Sequence, residues 1–295
     1  MTMRIAVLGL GAMGLPTGTH LTKLATVAGY DIDQERLALA EAAGIEPATS
    51  AQEAATGADV VLLAVRNSAQ LDDALFGADG VVSVLAAGAV VILTSTVGMA
   101  GIQAVEPRVR DAGLLLVDAP VSGGPTRAGD GTLLVTVGAD DAAWAKAKPV
   151  LDHMAGTLVR VGDTPGAGQA MKTVNQLLCG VHIAAAGEAM ALANRLGLDP
   201  SAALDALMAG AASSWMLGDR GPRAIQALHS EEAEVRSRLD IFVKDMGIVT
   251  EAAKAVGIAT PVAAAAEQLY LQGLARGMAA QDDSIVVRLI DPDPS

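Results

Sequence analysis

Compact apolar runs broken by turn residues fill the first half of the chain, and longer stretches with helical spacing fill the second. Arg4–Leu8, Thr26–Tyr30, Val60–Val65, Ala89–Leu93, Leu114–Val117, Thr132–Val137 and Leu158–Val161 read as strands. Helical signals lie between them: one to about Leu24, a short one opened by a possible capping box at Ser50 and Glu53, and one around Trp144. Strand and helix signals in alternation predict a parallel sheet. The segment 162–166, GDTPG, breaks the series.

From Gly166 to Leu196 the chain reads as one mostly apolar helix, about 45 Å long at the usual rise and longer than a small domain needs. Helices continue beyond it. SSWMLGDRG (213–221) reads as a break, with Trp215 and Met216 either lining a substrate cleft or, the preferred reading, filling core. Asp240–Ala255 has helical apolar spacing at Ile241, Ile248 and Val249, the alanines of 262–266 suggest close helix packing, and the tail at 291–295 reads as frayed. The expected fold is a Rossmann-type doubly wound α/β sheet over residues 1–163, joined by the long helix to an all-α domain over 164–295.

With 295 residues, 52% of them hydrophobic and only 18% charged, the chain can bury a large core. A net charge of -13 argues against nucleic acid or an anionic membrane as partner, so an anionic substrate needs locally placed amides or cations. The single cysteine, Cys179, cannot form an intrachain disulfide; it fits a reducing cytoplasm and reads as a small packed hydrophobe. The N-terminal apolar run contains three spaced glycines and no cleavage site follows it, so a strand and turn suit it better than a signal peptide. Val81–Leu93, the longest near-apolar run, is too short to span a bilayer, and no transmembrane helix is expected. His20, His153, His182 and His229 are scattered without paired ligand spacing, so no metal is expected; His182 reads as a core residue, and His20 is given no role.

The chemistry begins at GLGAMG (9–14), directly after the first strand and opening a helix. Gly9 permits the tight turn, Gly11 lets a pyrophosphate approach the backbone, and Gly14 lets helix and strand pack closely. The amides of Leu10, Ala12 and Met13 complete the cradle at the positive end of the helix. Asp31 ends the second strand, 22 residues after Gly9, where a carboxylate accepts hydrogen bonds from the adenosine ribose and repels a 2′-phosphate. Ile32 stands where an NADP site favours arginine, so NAD is the expected cofactor.

Ligands of such sheets lie beyond the carboxyl ends of the strands. Arg66, Asn67 and Ser68 follow one strand and should sit over the cofactor, while Thr94, Ser95 and Thr96 follow another, as ribose ligands or as helix caps. Asp118-Ala119-Pro120-Val121-Ser122-Gly123-Gly124-Pro125 follows a third and reads as an exposed, amide-rich loop suited to a carboxylate.

Four blocks in order, GLGAMG (9–14), DAPVSGG (118–124), GAGQAMKTVNQ (166–176) and FVKD (242–245), resemble the β-hydroxyacid dehydrogenase family, which includes 3-hydroxyisobutyrate dehydrogenase and, more distantly, 6-phosphogluconate dehydrogenase. Further blocks at 67–81, 163–169, 177–193, 213–216, 240–249 and 281–286 resemble the branch acting on a four-carbon sugar acid. The resemblance implies a catalytic lysine at Lys172 and a carboxylate-binding loop at Ser122, Gly123 and Gly124. It also implies cofactor contacts near the nicotinamide from Thr96 and Lys244. Many members carry an active-site asparagine four residues after the lysine; here that place holds Gln176, and Asn175 precedes it, so either amide could orient substrate, with Asn175 preferred.

The expected reaction is NAD-dependent oxidation of a small hydroxy acid, with L-threonate at C2 first and tartronate semialdehyde or 3-hydroxyisobutyrate as alternatives. A free lysine, with a pKa of about 10.4, is a poor base at neutral pH, but burial beside other cations brings it to about 7–8. Lys172 at a domain cleft, with Lys244 nearby, meets that need and argues against an imine reductase or a non-catalytic nucleotide-binding module, whose relatives generally lack the lysine. The resemblance further implies a homodimer or homotetramer.

Overall fold

The computed structural model describes residues 3–229 and 233–292. Its first elements alternate as strand and helix: β1 (Arg4–Leu8), α1 (Gly14–Leu21), β2 (Thr26–Tyr30), α2 (Gln34–Ala42), β3 (Glu46–Pro47), α3 (Ala51–Ala55), β4 (Val60–Leu63), α4 (Ser68–Phe76), β5 (Val90–Leu93), α5 (Gly98–Asp111) and β6 (Leu115–Asp118). There follow β7 (Val121–Ser122), α6 (Gly124–Asp130), β8 (Leu133–Gly138), α7 (Asp141–Met154) and β9 (Ala155–Gly162). The rest is helical: α8 (Ala167–Arg195), α9 (Pro200–Met208), α10 (Trp215–Leu228), α11 (Leu239–Ala255), α12 (Pro261–Ala275) and α13 (Val287–Ile290).

Two compact units divide the chain, Met1–Lys172 and Thr173–Ser295. In the first, the sheet runs β3-β2-β1-β4-β5-β6-β8-β7, with β9 on β8. Strands β1 to β6 pair in parallel, as their connecting helices require. The parallel expectation fails beyond β6: β8 pairs antiparallel with β6 and β7, and β9 runs parallel to β8. Strands β4 and β5, VVLL and VVIL, are buried at every position, with one apolar cluster on each face of the sheet.

The second unit has its own apolar core, built on Ile183, Met190, Phe242, Met246 and Tyr270. Tyr270 is fully buried and donates to the Gly180 carbonyl on α8 at 2.7 Å. The bare Cα of Gly180 also admits Met246, whose sulfur lies 2.2 Å from where a Cβ would stand. On α11 the buried stripe is Leu239, Phe242, Met246 and Val249, and Ile241, read as part of it, is 41% exposed. The break expected at 213–221 is shorter: Ser214 caps α10, which starts at Trp215. Asp291 is buried and paired with Arg195, so the tail is fixed up to that point. Residues 293–295 of the tail read as frayed lie outside the described residues. By length and composition alone helix α8 is apolar enough to cross a membrane, and 56% of its most apolar window is buried inside the protein.

Candidate active site

Strand register lines up Tyr30, Leu8, Leu63, Leu93 and Asp118 as one row across the carboxyl edge of the sheet. Every candidate residue of the first unit before α8 lies just beyond that row, and the strand order reverses between β1 and β4.

The glycine loop is built as its spacing predicts. Gly9 has φ +90°, a conformation that favours glycine. A Cβ on Gly14 would stand 1.8 Å from the Gly9 carbonyl oxygen, whereas one on Gly11 would meet nothing within 4 Å. The backbone at Gly11 is therefore open to a ligand. No side chain caps α1 and no acidic residue stands in its first turn, which leaves its positive end for an anion. Asp31 Oδ2 accepts from the Leu10 amide at 2.6 Å and Oδ1 from the Asp33 amide at 3.0 Å, so this carboxylate at the end of β2 is tied to the glycine loop. Ile32 is 82% exposed beside it. Open amides and a fixed carboxylate fit an adenine dinucleotide.

Around the neighbouring strand ends several readings change. Asn67 caps α4 by accepting from the Gln70 amide at 2.9 Å, and the Arg66 amide donates to the Gln70 side chain at 2.9 Å; both residues are exposed. Thr94 and Ser95 donate their hydroxyls to the Leu63 carbonyl and so tie β5 to β4, and neither caps α5. Thr96 is half-buried in the turn that follows. The Ser50–Glu53 capping box forms only in part: the Ser50 hydroxyl accepts from the Glu53 amide, but the Glu53 carboxylate accepts from Thr49.

The loop after β6 is not the exposed segment expected. Asp118, Ala119 and Pro120 are buried, and Val121–Ser122 forms a short strand against β8. Only then does the backbone open, with φ +137° at Gly123 and +75° at Gly124, where a Cβ would meet nothing within 4 Å. The Arg127 stem packs under Gly123: its Cδ lies 2.8 Å from the Cβ position there.

Asp118 and Gln169 lie inside the sequence motifs, and nothing in the spacing marks a role for either. Asp118 is fully buried, and its Oδ2 accepts from the amides of Gly166 and Gln169 at 2.9 and 2.8 Å. Burial pushes its carboxyl above the usual range, opposed by the hydrogen bonds from Gln169, Gly166 and Gly168. Gly168 lacks the Cβ that would stand 2.5 Å from the Asp118 carbonyl. The first turn of α8 thus rests directly on the end of β6, and Lys172, at 8% exposure, stands three residues beyond Gln169. The signal available was polarity itself: buried Asp and Gln in otherwise apolar surroundings need partners.

In the second unit Asn175, Gln176, Lys244 and Asp245 form one cluster. Asn175 Nδ2 donates to Gln176 Oε1 at 2.8 Å, and Gln176 Nε2 to Asp245 Oδ2 at 2.6 Å. The Lys244 ammonium forms an ion pair with Asp245 Oδ1 at 2.8 Å. Cys179 accepts weakly from Asn175 at 3.4 Å. Trp215 is 60% exposed, which overturns the core reading for it; Met216 does pack against the core. His182 is half-buried. His20 and His153 are not scattered: their rings lie 4.7 Å apart, and His20 Nδ1 is 2.9 Å from the Gly129 carbonyl. Among the described residues no group of His, Cys, Asp or Glu could hold a metal.

Residues 4–162 match the family described as the NAD binding domain of 6-phosphogluconate dehydrogenase, and residues 166–290 match the NAD-binding family of NADP-dependent 3-hydroxyisobutyrate dehydrogenase. The chain is 38% identical to L-threonate dehydrogenase of Cupriavidus necator over 98% of its own length and 96% of the relative's. A crystal structure of 3-hydroxyisobutyrate dehydrogenase from Salmonella typhimurium superposes with a TM-score of 0.89 at 36% identity, over 97% of this chain and 99% of that one. A Mycobacterium tuberculosis 3-hydroxyisobutyrate dehydrogenase with L-serine gives 0.85 at 29% identity, over 98% and 99%. With the glycine loop, the carboxylate at the end of β2 and the GAGQAMK block all in place, the chain belongs to the 3-hydroxyisobutyrate dehydrogenase-like family of NAD-dependent hydroxyacid dehydrogenases.

Proposed function

We propose that this enzyme oxidises L-threonate at C2 to the 2-oxo acid, with Lys172 as the general base. The observation that carries the chemistry is a buried lysine in the first turns of α8, beside the segment bound to Asp118. A buried amine gives up its ammonium proton more readily than a solvated one, as a base for a hydroxyl requires. Bound NAD supplies the hydride acceptor. The residues do the rest: the Ser122–Gly124 amides hold the substrate carboxylate, Lys172 Nζ takes the hydroxyl proton, and Asn175, one turn along α8, orients that hydroxyl with Gln176 behind it. In the reverse direction Lys172 returns the proton. Gly9 to Gly14 hold the pyrophosphate and Asp31 the adenosine ribose; Arg66, Asn67, Thr96 and Lys244 are the remaining cofactor contacts.

The threonate assignment is supported by the L-threonate dehydrogenase relatives. A 3-hydroxy acid is the second reading, favoured by the name of the Salmonella protein and by the L-serine of the Mycobacterium structure. Following reduced cofactor with threonate, 3-hydroxyisobutyrate, serine and, in reverse, tartronate semialdehyde decides between them: a higher kcat/KM for any other than threonate rejects the first. Lys172→Ala should abolish turnover while NAD still binds. We further assign the chain to the cytoplasm, on its single cysteine, and to a homodimer or homotetramer, which exposed apolar positions such as Val174 and Leu178 on α8 support. Light scattering on the purified protein tests the assembly.

A further inference from the structure

Gln169 is fully buried, and every hydrogen-bonding position of its side chain is used. Its Oε1 accepts from the amides of Val97 and Gly98, each at 2.9 Å, and its Nε2 donates to the Ser95 carbonyl at 3.0 Å and to Asp118 Oδ1 at 2.9 Å. The polarity is fixed. Flipping the amide would set its NH2 against two N–H donors and its oxygen against two acceptors. Helix α5 has no side-chain cap of its own from Val97, so the Gln169 oxygen supplies the missing acceptor at its start. One side chain therefore closes the turn 95–98 that carries Thr96, engages the end of β6, and belongs to the first turn of α8.

Lys172 follows Gln169 by three residues, about one helical turn. The division between the two compact units falls immediately after Lys172, although α8 runs on unbroken to Arg195. Contacts made by the first turns of the helix thus belong to the sheet unit. We infer that Gln169 and Asp118 form a latch that holds the Lys172 turn of α8 in the frame of the cofactor-binding unit, making Gln169 a positioning residue for the proton-accepting amine. This rests on the reading of Lys172 as general base. A misplacement of about 1 Å at a reacting group costs on the order of 100-fold in rate, so a side chain that never touches substrate can still control kcat.

The test compares wild type with Gln169→Leu, Gln169→Glu and Lys172→Ala, each checked for a cooperative thermal transition. Gln169→Glu keeps the shape and the acceptor, but removes the NH2 and sets a carboxylate against Asp118; it decides the matter if Gln169→Leu fails to fold. For each we would measure NAD affinity by fluorescence titration, and kcat with the best hydroxy acid carrying hydrogen or deuterium at the carbinol carbon. The latch predicts kcat at saturating NAD lower by about 100-fold, a fall larger than any loss of NAD affinity through the Thr96 turn, and a larger deuterium isotope effect on kcat as the chemical step becomes limiting. A folded Gln169 variant with wild-type kcat overturns it, as does a fall in kcat with an unchanged isotope effect. If Lys172→Ala is inactive while both Gln169 variants are normal, the latch alone falls; if Lys172→Ala turns over normally, the base assignment falls with it.

Discussion

The Gly9 carbonyl oxygen lies 1.8 Å from the point where a Cβ on Gly14 would stand, and a Cβ on Gly11 would meet nothing within 4 Å. Two glycines of one loop therefore serve different ends. Gly14→Ala must push α1 off the end of β1 and should cost about 3 kcal/mol of stability, read as a fall in the thermal midpoint with or without NAD. Gly11→Ala should leave that midpoint unchanged and weaken NAD binding at least tenfold in a fluorescence titration. Equal loss of stability in both would mean that Gly11 is there for packing.

Asp31, proposed to hold the adenosine ribose, accepts from the Leu10 amide, and Ile32 beside it is exposed. Replacing the carboxylate and adding a cation, Asp31→Ser with Ile32→Arg, should remove the repulsion of a 2′-phosphate and supply a partner for it. The ratio of kcat/KM for NADP over NAD should rise by about 100-fold, some 2.7 kcal/mol. An unchanged ratio would place cofactor choice elsewhere on the loop.

Gln176 donates to buried Asp245 at 2.6 Å and accepts from Asn175, so the Asp245 carboxylate orients the amide pair proposed to meet the substrate. Asp245→Leu leaves the Gln176 NH2 without that acceptor, a cost of about 1–3 kcal/mol, and Asp245→Asn keeps an acceptor and costs less. KM for the hydroxy acid should rise about tenfold in the first variant, an effect of about 1.4 kcal/mol, and less in the second. Steady-state kinetics on both variants checks the order. Loss of stability with unchanged KM would make the cluster purely structural.

What could be read from the sequence was local. The glycine loop, the strand runs and the span of α8 depend on neighbours within a few residues, so spacing and periodicity exposed them. Asp118 and Gln169 lie 51 residues apart and meet only after β6 and α8 are formed, so neither could be told from an ordinary motif residue. The approach of His20 to His153, 133 residues on, was hidden for the same reason. Strand periodicity does not carry direction, which is why antiparallel β8 passed for one more parallel strand. Large apolar residues are expected inside, yet Trp215 stands exposed at the first turn of α10, and nothing in its neighbours along the chain marks it as a surface residue.

The helical unit should be sensitive to acid through Asp282. Burial pushes this carboxyl up, but the Ser284 hydroxyl, the Arg236 amide and the Arg223 guanidinium outweigh burial and hold it below its ordinary 3.8. A carboxyl depressed in the folded state contributes stability above its unfolded value, and that contribution is lost as pH falls from about 4 through the folded pKa. Neighbouring Asp283 has the opposite sign: burial raises it despite Arg220, so its contribution is complete below 3.8 and disappears as pH rises through the raised value. Asp282→Ala should cost about 3 kcal/mol at pH 7, because it breaks a buried pair with Arg223. It should also flatten the fall of the thermal midpoint between pH 4 and pH 3, roughly the window in which a depressed carboxylate titrates. Calorimetric scans of both proteins across that range decide the point, and an equally steep fall in the variant would assign the acid sensitivity to other carboxylates.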